Sequence, residues 1–230
     1  MRVLGIETTG ERCGVAVVDE TGTLAERRYL HRMELVQRLI ADVDAVLSET
    51  GTPLPELNGV GVGAGPGSFT GVRIGVVTAK TLAAAVGLPA VPVGAAEAII
   101  REQRPEPGER VVAIIRARPG AVYVSAGDTS PRPRLVTVVD LISELLSASP
   151  QPVLLCGDGC VREGQAIVAG LTNGGLHARI GTSEAPHPST VARLALERLL
   201  AGERPDPMAL APVYVAPPPV DPRAERFAPT

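Results

Sequence analysis

The sequence contains little cysteine, little histidine and no long uninterrupted hydrophobic run. Its cysteines, Cys13, Cys156 and Cys160, are odd in number, and the first residues, MRVLGIETTG, lack the apolar core of a secretory signal. We therefore expect buried, reduced thiols and a cytoplasmic protein. The most apolar stretch, residues 74–100, is interrupted by a lysine, glycines and two prolines, so the sequence predicts no membrane span.

Strong charge of either sign is also missing. The 230 residues include 22 basic and 25 acidic side chains, which give a net charge of −3, and Lys80 is the only lysine. This balance argues against a general binder of nucleic acid or of anionic membranes. The length allows one large domain or two small ones.

Hydrophobic patterning predicts the same order of elements in both halves of the chain. Each half shows three strands, a helix, a fourth strand and a second helix, separated by turn residues. A duplicated βββαβα unit is the architecture of the actin-like, or ribonuclease H-like, α/β fold. We expect one lobe over residues 1–94, a second over 95–215 that includes a helix at Pro188–Leu200, and a flexible proline-rich tail over 216–230.

The first predicted hairpin, GIETTGERCG, lies where kinases of this architecture hold the phosphates of Mg-ATP. Glu7, Thr8 and Thr9 could form a degenerate nucleotide-binding turn, or a plain turn rich in threonine and glycine. The matching hairpin of the second half is IIRARPGAVYV. Its Arg116 and Arg118 could bind an anion but cannot hold Mg²⁺, which argues against phosphoryl transfer.

No pattern in the sequence predicts a catalytic or metal-binding group. Two histidines at i and i+4 would clamp a metal, but Leu35 follows His31 at that spacing. Ser68 lacks the surroundings of a nucleophilic serine and is expected to cap a helix, and Asp158 is expected to be structural. We expect no cofactor. The alternative is an enzyme, either a metal-dependent, glycoprotease-like peptidase or an ATP-dependent phosphotransferase.

A glycine-rich loop, GAGPGSFTGVRIG, leads into a helix over residues 69–86 that is apolar nearly all round. A helix of this kind is buried on both sides. Small side chains recur every four residues along it, at Gly71, Gly75, Ala79 and Ala83. This stripe predicts close packing against another helix, from a partner or from the chain itself.

The segment GPGSFTGVRIG at 65–75, together with ETT at 7–9 and a helix that begins at a histidine, resembles the TsaB (YeaZ) family of bacterial actin-like proteins. The resemblance implies a non-catalytic partner of TsaD in making N6-threonylcarbamoyladenosine in tRNA. It also implies TsaE as a further member of the complex, indirect contact with tRNA, and self-association of the free protein as a homodimer.

The same resemblance implies that the two N-terminal-lobe helices form the partner interface. The candidate residues are Leu35, Leu39, Phe69, Val72, Arg73 and Val76. On this hypothesis, Val76→Glu leaves the monomer soluble and abolishes partner binding. Glu7 stands where an aspartate is more usual in the family. Arg116 stands where the family tends to have an acidic residue.

Overall fold

The computed structural model describes residues 1–30, 35–126, 130–148, 150–181 and 185–215. The predicted start of the first helix, with His31 and Glu34, and the tail 216–230 lie outside these residues. The first sheet consists of β1 (Arg2–Glu7), β2 (Arg12–Asp19), β3 (Gly22–Leu30), β4 (Gly59–Gly65) and β5 (Ala90–Gly94). The second consists of β6 (Arg110–Arg116), β7 (Ala121–Ala126), β8 (Ser130–Thr137), β9 (Val153–Cys156) and β10 (Ala178–Ile180).

Both sheets have the same topology. The strand order is β3-β2-β1-β4-β5 in the first and β8-β7-β6-β9-β10 in the second. In each, the first three strands form an antiparallel meander and the last two are parallel to the first. The helices are α1 (Leu35–Glu49), α2 (Phe69–Val86), α3 (Ala95–Arg101), α4 (Val138–Ser147), α5 (Gln165–Asn173) and α6 (Pro188–Leu200). The predicted fold class, a duplicated actin-like α/β fold, is confirmed.

Three local predictions were wrong. The strand β5 was missed because Pro92 interrupts its apolar run, yet Pro92 lies on an edge strand, where proline is tolerated. The sequence predicts that Asp140 caps the helix α4, but α4 begins at Val138 and Thr137 caps it, since the Thr137 hydroxyl accepts a hydrogen bond from the Asp140 amide. The sequence also predicts a helix near residues 161–169, whereas the structure has a π-helical turn, Cys160–Gly164, followed by α5.

The two faces of the first sheet are covered by different parts of the chain. The helices α1 and α2 lie on one face, where Leu39 and Val76 join a core with Leu4 and Ile6 of β1. The opposite face is covered by α6, which packs on β1, β2 and β4. The prediction that α6 extends the second lobe is therefore wrong, because its apolar side chains complete the core of the first.

The sheet contains glycine where α6 crosses it. A Cβ atom added at Gly5 would lie 2.3 Å from the carbonyl oxygen of Pro188, and one added at Gly61 would lie 2.6 Å from the Cβ of Ala195. Side chains at either position would push the helix away from the sheet. The helix α6 therefore lies close to the backbone of strands β1 and β4.

Among the described residues, α2 is the one helix long and apolar enough to cross a membrane, judged by length and by a mean hydropathy of 1.3 alone. Its buried residues, which include Val72, Val76 and Ala79, pack into the core of the first lobe.

Candidate partner surface and inter-lobe cleft

The glycine-rich loop packs against the turn between β1 and β2. The Ser68 amide donates to the Thr9 carbonyl at 2.7 Å, and the Thr8 hydroxyl donates to the Gly71 carbonyl at 2.8 Å. A Cβ atom added at Gly71 would lie 2.1 Å from the carbonyl oxygen of Thr8, and one at Gly75 would lie 2.2 Å from its hydroxyl oxygen. The loop and the β1–β2 turn therefore bind each other.

These contacts correct the interpretation of the small-residue stripe. At Gly71 and Gly75 the stripe is closely packed, but its neighbours there are Thr8 of the turn and Val62 of the first sheet, not another helix. Glycine at two helical positions is explained by this approach of backbone to backbone. The Ser68 side chain caps α2 as predicted, accepting from the Gly71 amide.

The predicted interface residues divide into buried and accessible groups. Leu35, Leu39, Val72 and Val76 are buried and contact the lobe's own core, so the structure corrects their assignment as surface contacts. The same burial corrects the prediction that Val76→Glu leaves the monomer intact, because a carboxylate there would be desolvated inside the core. Phe69 and Arg73 remain accessible.

The outward side of the same two helices carries three valine or isoleucine side chains that were not among the predicted interface residues. Val36 and Ile40 on α1 are 54% and 48% exposed, and Val77 on α2 is 60% exposed. We call the outward surface of the two helices, with these three residues, the α1–α2 face. An apolar arc wider than a helix's contact with the sheet leaves some apolar side chains in solvent, but the sequence does not show which ones.

The chain after α6 returns along α2. We call residues 205–214 the C-terminal strap. The Lys80 ammonium donates to the Met208 carbonyl at 2.6 Å, and the Val213 amide donates to the Ala64 carbonyl at 2.8 Å. The strap therefore follows α2 from its middle towards its N-terminus.

An aromatic and guanidinium cluster fixes the end of the strap. The Arg73 Nε donates to the Tyr214 hydroxyl at 2.8 Å, and its guanidinium carbon lies 3.9 Å from the Phe69 ring centre. The rings of Phe69 and Tyr214 are tilted, with their centres 5.4 Å apart. Phe69 thus holds the strap to α2, and Arg73 is fixed between two rings.

Glu7 lies fully buried where β1 ends at the cleft between the lobes. Its Oε1 accepts hydrogen bonds from the amide and the hydroxyl of Thr9, each at 2.5 Å, whereas Oε2 has no hydrogen-bond partner among the described residues. Burial raises the pKa of Glu7 to about 7, against the opposing effect of the Thr9 bonds. Neighbouring Glu102 and Asp158 raise it further.

The hairpin of the second lobe forms an ion pair with the first lobe across the cleft. The Arg116 guanidinium donates to Glu11 Oε1 at 2.5 Å, and the Arg116 amide donates to Asp158 Oδ1 at 2.8 Å. Burial raises the pKa of Asp158, while the Arg116 amide opposes this rise. Arg118 lies exposed at the hairpin tip. The charge that Arg116 would offer an anion is paired with Glu11.

The described residues contain no group of three or more His, Cys, Asp or Glu side chains placed to hold a metal. The His187 ring nitrogen lies 3.0 Å from an Arg28 guanidinium nitrogen. The three cysteines are buried, and burial raises the pKa of Cys13 to about 12, so that its thiol stays protonated.

Comparison with known proteins identifies the family of this chain. A family model described as TsaD, tRNA N6-adenosine threonylcarbamoyltransferase, matches residues 31–149. The tRNA threonylcarbamoyladenosine biosynthesis protein TsaB of Bacillus subtilis is 31% identical over 225 residues, which cover 94% of each chain. The chain belongs to the TsaB family.

Other TsaB relatives match over less of their length. The TsaB protein of Escherichia coli is 40% identical over 124 residues, 54% of this chain and 53% of that protein, so the match spans about half of each. In three dimensions, the chain is similar to YeaZ from Pseudomonas aeruginosa, with a TM-score of 0.72 and 25% identity over 93% of this chain and 99% of that one. These TsaB relatives are named for a part in tRNA threonylcarbamoyladenosine biosynthesis.

Proposed function

We propose that this chain is a non-catalytic subunit of the assembly that makes N6-threonylcarbamoyladenosine in tRNA. It docks on TsaD through the α1–α2 face, joins TsaE in the same cytoplasmic complex, and meets tRNA only through that complex. When TsaD is absent, two copies associate through the same face. The observation that carries the proposal is the exposure of Val36, Ile40 and Val77 on adjacent helices of a TsaB-family fold.

The position of these side chains supports a docking role. Val77 lies on the side of α2 opposite Val76 and Ala79, which already pack into the lobe. Exposed apolar side chains on helices that cover the same face of a sheet are typical of protein interfaces. We therefore place the binding energy in the outward residues and leave the buried candidates as their support.

The cleft supports a non-catalytic role. The turn that would cradle phosphates has its Thr8 hydroxyl and Thr9 carbonyl bonded to the start of α2. On the other side of the cleft, Arg116 is paired with Glu11 where a kinase would place an acid for Mg²⁺. Glu7, Thr8 and Thr9 are, in this proposal, the remnant of a nucleotide-binding turn. No observation among the described residues favours the peptidase or the phosphotransferase.

The direct test is Val77→Asp in purified protein. We expect its dissociation constant for TsaD to rise by about tenfold or more, because a charge is then desolvated at the centre of the interface. The matched control is Val139→Asp on α4, since Val139 is a 71% exposed helical valine in the other lobe. It should bind TsaD as the natural chain does.

In cells depleted of the natural protein, mass spectrometry of tRNA nucleosides should show threonylcarbamoyladenosine restored by Val139→Asp but not by Val77→Asp. Equal restoration by both variants would contradict docking through the α1–α2 face. Normal levels of the nucleoside after depletion would contradict the role itself.

A further inference from the structure

The charges on α2 all have one sign and lie along one edge. The 18 residues of this helix include Arg73 and Lys80 but no aspartate or glutamate. The two cations are seven positions apart, which is about two helical turns, so they lie above one another. Both contact the C-terminal strap, Arg73 at Tyr214 and Lys80 at Met208.

This edge borders the α1–α2 face on the side away from α1. Ile74, on the other side of α2, packs against the buried cluster that includes Leu35 of α1, whereas Phe69 and Arg73 point to the strap. Val77 lies between the two sides and faces solvent. A protein docked on Val77 would therefore meet α1 along one border and the two cations along the other.

The Arg73 guanidinium is fixed in position by two aromatic residues. The Phe69 ring lies under its guanidinium, and its Nε is bonded to the Tyr214 hydroxyl. Within the described residues, Arg73 forms no ion pair, and its two terminal nitrogens make no hydrogen bond. A guanidinium fixed by stacking loses little conformational freedom when a carboxylate binds those nitrogens in a fork.

We propose that Arg73, with Lys80 beside it, forms a carboxylate-binding rim of the α1–α2 face. It recognises a protein partner whose apolar docking strip is bordered by aspartate or glutamate side chains, and it fixes the orientation in which that partner docks. The inference rests on the proposed function, since it assigns a specificity determinant to the same surface.

The test uses the full chain and purified TsaD, with association and dissociation rates measured between low and physiological salt. Arg73→Glu should slow association by about tenfold or more at low salt and flatten its salt dependence, because rim charges steer encounter. Arg73→Lys keeps the charge and should retain most of the association rate. Tyr214→Phe removes the bond to Nε but no charge, and serves as the control for the strap.

The outcomes distinguish a failure of the carboxylate-binding rim from a failure of the proposed function. The rim is supported if Arg73→Glu slows association while its thermal unfolding midpoint and that of Tyr214→Phe match the natural chain. It is overturned if Arg73→Glu associates normally while Val77→Asp fails to bind, and the docking face then stands without it. Equal slowing by Tyr214→Phe would also overturn it, since strap packing rather than charge would be responsible. If the natural chain does not bind TsaD, both proposals fail.

Discussion

At the scale of single residues, Glu7 is an acid buried completely at the end of β1. A carboxyl group at the end of β1 suits a site open to water and metal, but here it is enclosed, with Thr9 as its only hydrogen-bond donor among the described residues. Its pKa of about 7 means that it holds a proton over much of the range in which an ordinary glutamate has lost it.

This shift predicts a pH-dependent stability. Between pH 4.5 and about 7 the unfolded chain releases the Glu7 proton while the folded chain keeps it, so the free energy of unfolding falls as pH rises. Glu7→Gln keeps the oxygen that accepts from Thr9 and cannot ionise. We expect it to be as stable as the natural chain near pH 4 and more stable by up to about 3 kcal/mol at pH 8.

Urea unfolding from pH 4 to pH 8 measures this difference. The control is Glu56→Gln, because Glu56 is exposed and its substitution should leave the pH profile unchanged. A constant difference between Glu7→Gln and the natural chain at all pH values would show that Glu7 ionises normally.

At the scale of elements, α2 illustrates what hydrophobic patterning can and cannot give. Its start at Ser68, its end at Gly87 and the close packing of its small residues were all predictable, because capping and steric rules are local. The neighbour that approaches Gly71 was not predictable, since Thr8 is distant in sequence. An apolar arc likewise indicates burial without saying whether the residue faces the sheet, like Val76, or solvent, like Val77.

For Gly71→Ala, the packing of α2 and helix propensity predict opposite changes in the free energy of unfolding. Alanine is a better helix former than glycine by about 1 kcal/mol, so propensity alone would make Gly71→Ala stabilising. Because the new Cβ would meet the Thr8 carbonyl oxygen at 2.1 Å, we expect a loss of about 1–3 kcal/mol in the free energy of unfolding. Thr81→Ala, at an exposed position on the same helix, should be neutral or slightly stabilising when measured by the same denaturant titration. Stabilisation by Gly71→Ala would contradict the contact between α2 and the β1–β2 turn.

At the scale of the whole molecule, the lobes are less separate than the repeated order of elements suggested. Each sheet belongs to one half of the chain, as the pattern indicated, but α6 crosses back from the second half. The sequence could not reveal this, because the apolar stripe of α6 fits either sheet. Only the glycines of β1 and β4, Gly5 and Gly61, hinted at a helix lying close to the backbone.

The return of α6 predicts that residues 1–94 do not fold alone. Without α6, the side of the first sheet that carries Val3, Val18, Val91 and Val93 faces water. We expect this fragment to bind a hydrophobic dye and to unfold without a cooperative transition. A chain in which a flexible linker joins 1–94 to 185–215 should regain cooperative unfolding. Cooperative unfolding of 1–94 by itself would restore the simple two-lobe boundary.

The path of α6 also sets an order for folding on the ribosome. The second sheet and its helices α4 and α5 lie within residues 110–180, so this lobe is complete before α6 has been synthesised. Residues 1–94 emerge first but wait for α6, a delay of roughly 5 to 20 s at bacterial rates of synthesis. The lobe that is made first is therefore finished last, and a nascent chain stalled before Pro188 exposes the uncovered face of its first sheet to chaperones.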